Sequence, residues 1–223
     1  MINCNKYETC PKGEKLYTNI NRNNINLLFM GCWGVFCSNE LIKEQQYGGL
    51  SVANLMSEIS NKFETRAVIL AGDNIYPWYK QKEKENKNLN YYKNIMKAQL
   101  EIGFSSCFKN VNTKEYLAAV GNHDIEKCAF INTQINYSKN KWKFPGLYYN
   151  TIYRLKNKVI VNLIFIDTNL YTQATYCDSK PFDFLYERSQ QFEWLKGVLK
   201  KNINSWNIVI GHAPPIYVAH KKI

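Results

Sequence analysis

Four stretches of this chain place a metal-capable or proton-transferring side chain just after a glycine that closes an apolar run. Asn26–Met30 leads into Gly31-Cys32-Trp33-Gly34, and Arg66–Ala71 into Gly72-Asp73-Asn74-Ile75-Tyr76. Tyr116–Val120 leads into Gly121-Asn122-His123-Asp124, and Ile208–Ile210 into Gly211-His212-Ala213-Pro214. Asp73 offers a carboxylate, Asn122 an amide oxygen and His212 an imidazole, all donors that divalent metals accept. Each glycine permits a tight turn and a close backbone approach to a ligand. Taken singly, each motif has an ordinary alternative. Asp73-Asn74 reads equally as a turn or a helix cap, Asn122-His123-Asp124 as a polar turn, and His212 as a satisfied loop histidine. The weight lies in the conjunction. Two of the three histidines follow strand–glycine junctions, and the four junctions are expected to converge on one edge of a sheet. In open α/β sheets that carboxyl edge is where ligands bind.

The elements that must position these residues are legible as alternating patterns. The four runs named above, with Val159–Ile166 ending in Asp167, read as buried strands. Between them, Leu50–Ile59 carries Leu50, Ala53, Met56 and Ile59 on one helical face. Tyr91–Ile102 does the same with Tyr92, Ile95, Met96 and Gln99, and Gln190–Lys201 with Phe192, Leu195, Val198 and Leu199. Strands alternating with helices imply an α/β fold with at least partly parallel strands. Lys80–Asn90 is the expected long exposed loop.

At 223 residues the chain suits one domain, read as residues 25–223 behind a polar N-terminal extension of residues 1–24. No apolar run reaches the ~20 residues of a membrane-spanning helix. The N-terminus lacks the pattern of a signal peptide, so an intracellular, soluble protein is the default expectation. A net charge of +11 admits acidic partners, but the lysines are scattered among many asparagines with no binding motif, so no specific nucleic-acid partner is expected. Seven cysteines, an odd count without a C-x-x-C pair, argue against a disulfide framework or zinc ribbon and for mostly reduced thiols. Asn136-Tyr137-Ser138 matches a glycosylation sequon at a level near chance.

In their order, Gly-Asp-Asn, Gly-Asn-His-Asp and Gly-His-x-Pro resemble the calcineurin-like metallophosphoesterases. The likeness extends to the small, mammalian-type purple acid phosphatases. Gly72-Asp73-Asn74-Ile75-Tyr76 keeps the tyrosine of that group, and Gly31-Cys32-Trp33-Gly34 is similar to its Gly-Asp-Trp-Gly. Gln134–Ser138, Trp142–Pro145, Phe165–Thr168 and Gln191–Leu195 also match in order. The resemblance implies an α/β sandwich of two mixed sheets flanked by helices, with a dinuclear centre of iron with iron, zinc or manganese. Asp73 would bridge the metals, Tyr76 would bind ferric iron as phenolate, and Asn122 and His212 would hold the second ion. His123 would contact the phosphate and protonate the leaving alkoxide, while Asp124 orients the region. The implied reaction is hydrolysis of phosphomonoesters by in-line attack of a metal-bound hydroxide, between cations about 3.5–4 Å apart. Members of this group are usually exported.

Two departures qualify that expectation. Cys32 stands where the group has its first aspartate ligand; a thiolate favours zinc over ferric iron, and a protonated thiol binds nothing well, so impaired binding is expected there. The group's later Gly-His-x-His motif is missing, and His220 is the only subsequent histidine. The sequence therefore reads as a C-terminally truncated member whose sheet edge is uncovered, with a protein partner as one candidate to cover it. A pseudo-phosphatase acting as a binding or scaffold protein, or a fragment of a longer phosphatase, stands as the alternative to a weak acid phosphatase.

Overall fold

Ala67, Val68, Ile69 and Leu70 are all fully buried, which marks their strand as a central one, covered on both faces. This computed structural model describes residues 15–34, 43–76, 99–101, 103–105, 107–126, 128–137, 139–172 and 184–214. Its elements, in chain order, are β1 (Lys15–Ile20), β2 (Leu27–Met30), α1 (Lys43–Phe63), β3 (Thr65–Ala71), β4 (Thr113–Ala119) and α2 (Cys128–Asn136). There follow β5 (Trp142–Lys143), β6 (Tyr149–Leu155), β7 (Ile160–Phe165), α3 (Asn169–Thr172), α4 (Phe184–Lys201) and β8 (Trp206–Ile210).

The strands form two four-stranded sheets, ordered β2-β3-β4-β5 and β1-β6-β7-β8. The first is parallel throughout. The second is mixed, with antiparallel pairing only between β6 and β7 among the described residues. Period-two alternation divides the core. Ala67, Ile69, Leu117 and Ala119 face Tyr149, Tyr153, Leu163 and Phe165 across the sandwich. Val68, Leu70, Tyr116 and Ala118 face the other way, onto Ala53 and Met56 of α1, Phe130 and Ile131 of α2, and a cluster of Trp33, Phe104, Phe108 and Trp142.

Register sets up the site. Met30 pairs with Leu70 and Leu70 with Ala118, so β2, β3 and β4 end level. In the second sheet Phe165 pairs with Ile210. The junctions therefore meet at one end of the sandwich but come from both sheets: β8 belongs to the second, not to the single sheet edge expected from sequence.

Three further details differ from the pattern reading. Residues 15–20, within the stretch read as a polar extension, form β1 and pair in parallel with β6; Leu16, Thr18 and Ile20 alternate with exposed Tyr17 and Asn19. On α4, Phe192 and Leu199 are exposed, whereas Gln191 is buried and Trp194 packs on Tyr148 at 4.9 Å; the apolar stripe is rotated because Gln191 takes the inward position. Cys107 is buried and disulfide-bonded, an exception to the expected reduced thiols. The helix expected over Tyr91–Ile102 and the Lys80–Asn90 loop fall largely outside the described residues, although residues 99–101 are helical.

Candidate functional site

Asp73 is the hub of the strand ends. Its residue sits in left-handed backbone at φ 52°, as does Cys32 at φ 53°, a region that side-chain-bearing residues enter at a cost. The turns that hold them there are cross-linked: the Cys32 N–H donates to the Gly72 carbonyl at 3.0 Å, and the Gly34 N–H to the Asp73 carbonyl at 3.2 Å. Gly121 must be glycine for the same reason of crowding, because a Cβ there would lie 2.2 Å from the Asp73 nitrogen and 2.3 Å from its Oδ1.

Around the Asp73 carboxylate the expected donors gather. The His123 N–H donates to Oδ1 at 3.1 Å. The Tyr76 hydroxyl donates to Oδ2 at 3.0 Å, the Cys32 thiol lies 3.9 Å from the same oxygen, and His212 Nε2 lies 3.3 Å from it. His212 Nε2 is also 3.2 Å from Asn122 Oδ1. Its Nδ1 donates to the Ala71 carbonyl at 2.9 Å; a carbonyl only accepts, so the ring's proton is fixed on Nδ1 and Nε2 faces the cluster. Cys32, Asp73 and His212 thus present one ligand atom each, all within 4.8 Å of one another. The other two residues picked from the sequence as ligands adjoin this group, Tyr76 through Asp73 and Asn122 through His212. His123 stands beside it, its ring 4.7 Å from that of Tyr76 and its Nδ1 paired with Glu126.

The electrostatics follow from burial and from one ion pair. Burial by itself would raise the Asp73 carboxyl, but the hydrogen bond and charge of His212 outweigh it and hold Asp73 below the usual range. Burial by itself would lower His212, and Asp73 outweighs that in turn, leaving His212 raised. Burial, with the Asp73 charge, pushes the Tyr76 phenol far above its ordinary value. Burial also pushes the Cys32 thiol up, against a lowering hydrogen bond from Tyr76.

Beneath the hub lies a buried polar clasp. Asp124 accepts the N–H groups of Asn74 at 3.0 Å, Ile75 at 3.1 Å and Gly121 at 2.7 Å, so it ties the β3 turn to the β4 turn. Gln134 of α2 donates to it at 3.1 Å and accepts from Asn74 Nδ2 at 3.1 Å. Trp33 Nε1 donates to Asn74 Oδ1 at 2.7 Å. Burial and the Asp73 charge push Asp124 up to about 7. A second clasp holds the His212 turn: the Ala213 N–H donates to Thr168 Oγ1 at 3.0 Å, and the Gln191 side chain bonds both the N–H and the carbonyl of Asp167, at 2.8 and 3.1 Å. The sequence pattern gave no role to Asn74, Glu126, Gln134, Thr168 or Gln191. An amide inside a helix has no local signature; only the family likeness, which includes Gln134 and Gln191, marks them.

The donor chemistry suits a cation. A carboxylate oxygen, an amide oxygen, a sulfur and an imidazole nitrogen gather in a common region. A separate cavity of about 270 Å³ is lined by Asn19, Arg22, Asn24, Glu64, Arg66 and Lys114. It lies at the opposite, amino ends of β3 and β4 and belongs to none of this chemistry.

The comparisons bear on the family and the fold. Residues 25–222 match the family model described as calcineurin-like phosphoesterase. Purple acid phosphatase 3 of Arabidopsis thaliana is 23% identical over 205 residues, covering 84% of this chain and 47% of the relative. The solved structure of GAP50, the anchor in the inner membrane complex of Plasmodium, superposes with a TM-score of 0.54 at 17% identity, covering 84% of this chain and 54% of the other. The chain therefore spans about half the length of each. Because the family match runs unbroken through every strand that meets at Asp73, the chain belongs to the calcineurin-like phosphoesterase family.

Proposed function

We propose that this chain hydrolyses phosphomonoesters, with metal bound at the Asp73 cluster. The observation that supports this most is the convergence of three separate motifs on the Asp73 carboxylate: Tyr76 and His212 contact it, Asn122 reaches it through His212, and His123 stands alongside. Asp73, Asn122 and His212, with Tyr76 and Cys32 at the near side, are the residues to hold the metal. A bound cation would supply the positive charge that phosphoryl transfer demands and lower the pKa of a nucleophilic water.

The chain's own residues do the rest. Asp73 is fixed from one side by the His123 N–H, so carboxylate and general acid move as a unit. Pairing of His123 Nδ1 with Glu126 fixes that ring nitrogen, and the proton for a leaving alkoxide is delivered from Nε2, an effect typically worth about 10²–10⁴-fold. Asn122 is exposed and His123 partly so, which suits contact with a phosphate arriving from solvent. The test is hydrolysis of an aryl phosphate from acid to neutral pH after loading with iron, zinc or manganese. Metal-dependent turnover abolished by Asp73→Ala is the expected result; turnover unaffected by that substitution ends the proposal.

A second reading, a binding or scaffold protein on the same fold, has two supports. Cys32 replaces a hard carboxylate in the ligand cluster, and Ile203, Trp206 and Val209 are exposed on and beside the edge strand β8. GAP50, with a similar fold, is an anchor in the inner membrane complex of Plasmodium. Association that persists at low concentration and is lost in Trp206→Ser favours this reading; a monodisperse monomer counts against it.

A further inference from the structure

Cys32 is the residue through which this site departs from an all-oxygen and nitrogen donor set, and its place in the geometry decides what the site should bind. We propose that Cys32, Asp73 and His212 form a single soft-cation site, selective for zinc over ferric iron, in which the Cys32 thiolate is a direct ligand. The inference rests on the metal-dependent reading above and deepens it by assigning the cation.

Three observations carry it. First, the distances suit one tetrahedral ion. Bonds of about 2.3 Å to sulfur and about 2.0 Å to oxygen or nitrogen place ligand atoms roughly 3.3–3.6 Å apart. Here Asp73 Oδ2 is 3.3 Å from His212 Nε2 and 3.9 Å from Cys32 Sγ, and all three atoms lie within 4.8 Å of one another. The Asp73–His212 pair already has that spacing, and a rotation of the Cys32 side chain toward them closes the site. Second, His212 is already oriented as a ligand: Nδ1 is engaged by the Ala71 carbonyl, so Nε2 is the ring nitrogen turned toward the cluster. A backbone carbonyl behind a histidine is the usual outer partner of a bound metal. Third, one of the three clustered donors is a sulfur, that of Cys32. A thiolate, imidazole and carboxylate set matches zinc; ferric iron prefers hard oxygen donors. Asn122 Oδ1, 3.2 Å from His212 Nε2, borders the fourth position, which remains open to water or a phosphate oxygen.

Binding exchanges protons for metal. The thiol proton of Cys32 leaves to solvent as the sulfur–zinc bond forms, and any proton on His212 Nε2 leaves with it. No oxidant or reductant is involved.

Cobalt(II) serves as the spectroscopic stand-in, added to the metal-free full chain. The expected result is one equivalent bound, with a sulfur-to-cobalt charge-transfer band and intense tetrahedral visible bands, all displaced by one equivalent of zinc. Cys32→Ser is expected to lose the charge-transfer band and weaken zinc binding by about tenfold or more, the scale seen even for lost outer-shell partners. Cys32→Asp is expected to lose the band yet still bind cobalt, which separates loss of sulfur from loss of fold. A band that survives in Cys32→Ser, or a coloured phenolate–iron complex formed in preference to zinc, overturns the proposal. Thiolate-coordinated zinc with no aryl-phosphate turnover upholds the site and removes only the hydrolase reading.

Discussion

At the scale of single residues, the site is governed by crowding and by one buried carboxylate. Asp124 is fully buried and accepts three backbone N–H groups from two different turns. Replacing it with alanine strands those donors together with Gln134 Nε2. We expect Asp124→Ala to destabilise the fold by about 3–5 kcal/mol, the range for breaking a buried charged network, read by urea denaturation. Gly121→Ala acts differently. Its Cβ would intrude to 2.2 Å from the Asp73 nitrogen, so the cost of about 1–3 kcal/mol of overpacking should come with displacement of Asp73 and weakened metal binding by calorimetric titration. Unchanged cobalt affinity in a folded Gly121→Ala protein would mean that Asp73 does not need its present position.

At the scale of elements, the second sheet is pinned by an amide ladder. Asn150 Nδ2 donates to Asn162 Oδ1 and Asn162 Nδ2 to Asn207 Oδ1, each at 2.8 Å, across β6, β7 and β8. Asn162 is completely buried, and its removal leaves one donor and one acceptor unpaired. Asn162→Ala is expected to cost about 2–4 kcal/mol in chemical denaturation, and to loosen β8 first, seen as faster amide exchange there than in β3. The ladder bears on the site because β8 delivers Gly211 and His212. Here the sequence was partly readable. The strands β2, β3, β4, β7 and β8 announced themselves as apolar runs closed by glycine or aspartate. β1 and β6 did not, because Tyr17, Asn19, Asn150 and Arg154 interrupt the apolar pattern, and a polar residue on a strand is explained only by the neighbour it meets.

At the scale of the whole molecule, buried acids should give stability a definite pH dependence. Burial pushes Asp167 up to about 7 despite hydrogen bonds from Asn169. A carboxyl whose folded pKa is raised is held protonated by the fold, so its contribution is complete below the unfolded value of 3.8 and is lost as pH rises through about 7. Unfolding free energy should fall across that window with a slope of the order of 1.4 kcal/mol per pH unit for each such group. Asp167→Asn, which keeps an oxygen for the Asn169 donors, should flatten that part of the profile by one proton; an unaltered slope would place Asp167 ionised in the folded protein. Asp73 works in the opposite sense. Its folded pKa is depressed, so its contribution is present above 3.8 and is lost as pH falls through the folded value. No helix of the described residues is long and apolar enough to cross a membrane.

Residue order alone determined the family, through the likeness of its motifs, and the α/β class; it also singled out Cys32, Asp73, Tyr76, Asn122, His123 and His212 as candidates, because short motifs after apolar runs are local patterns that survive without coordinates. It also placed a sulfur at Cys32, where the resemblance expects a carboxylate. Tertiary structure alone decided that the junctions come from two sheets, that His212 turns Nε2 inward, and that Asp124, Gln134, Thr168 and Gln191 hold the turns in place. Those outcomes depend on strand register and on hydrogen bonds between residues tens of positions apart, and no local pattern encodes which distant partner a buried polar group will find.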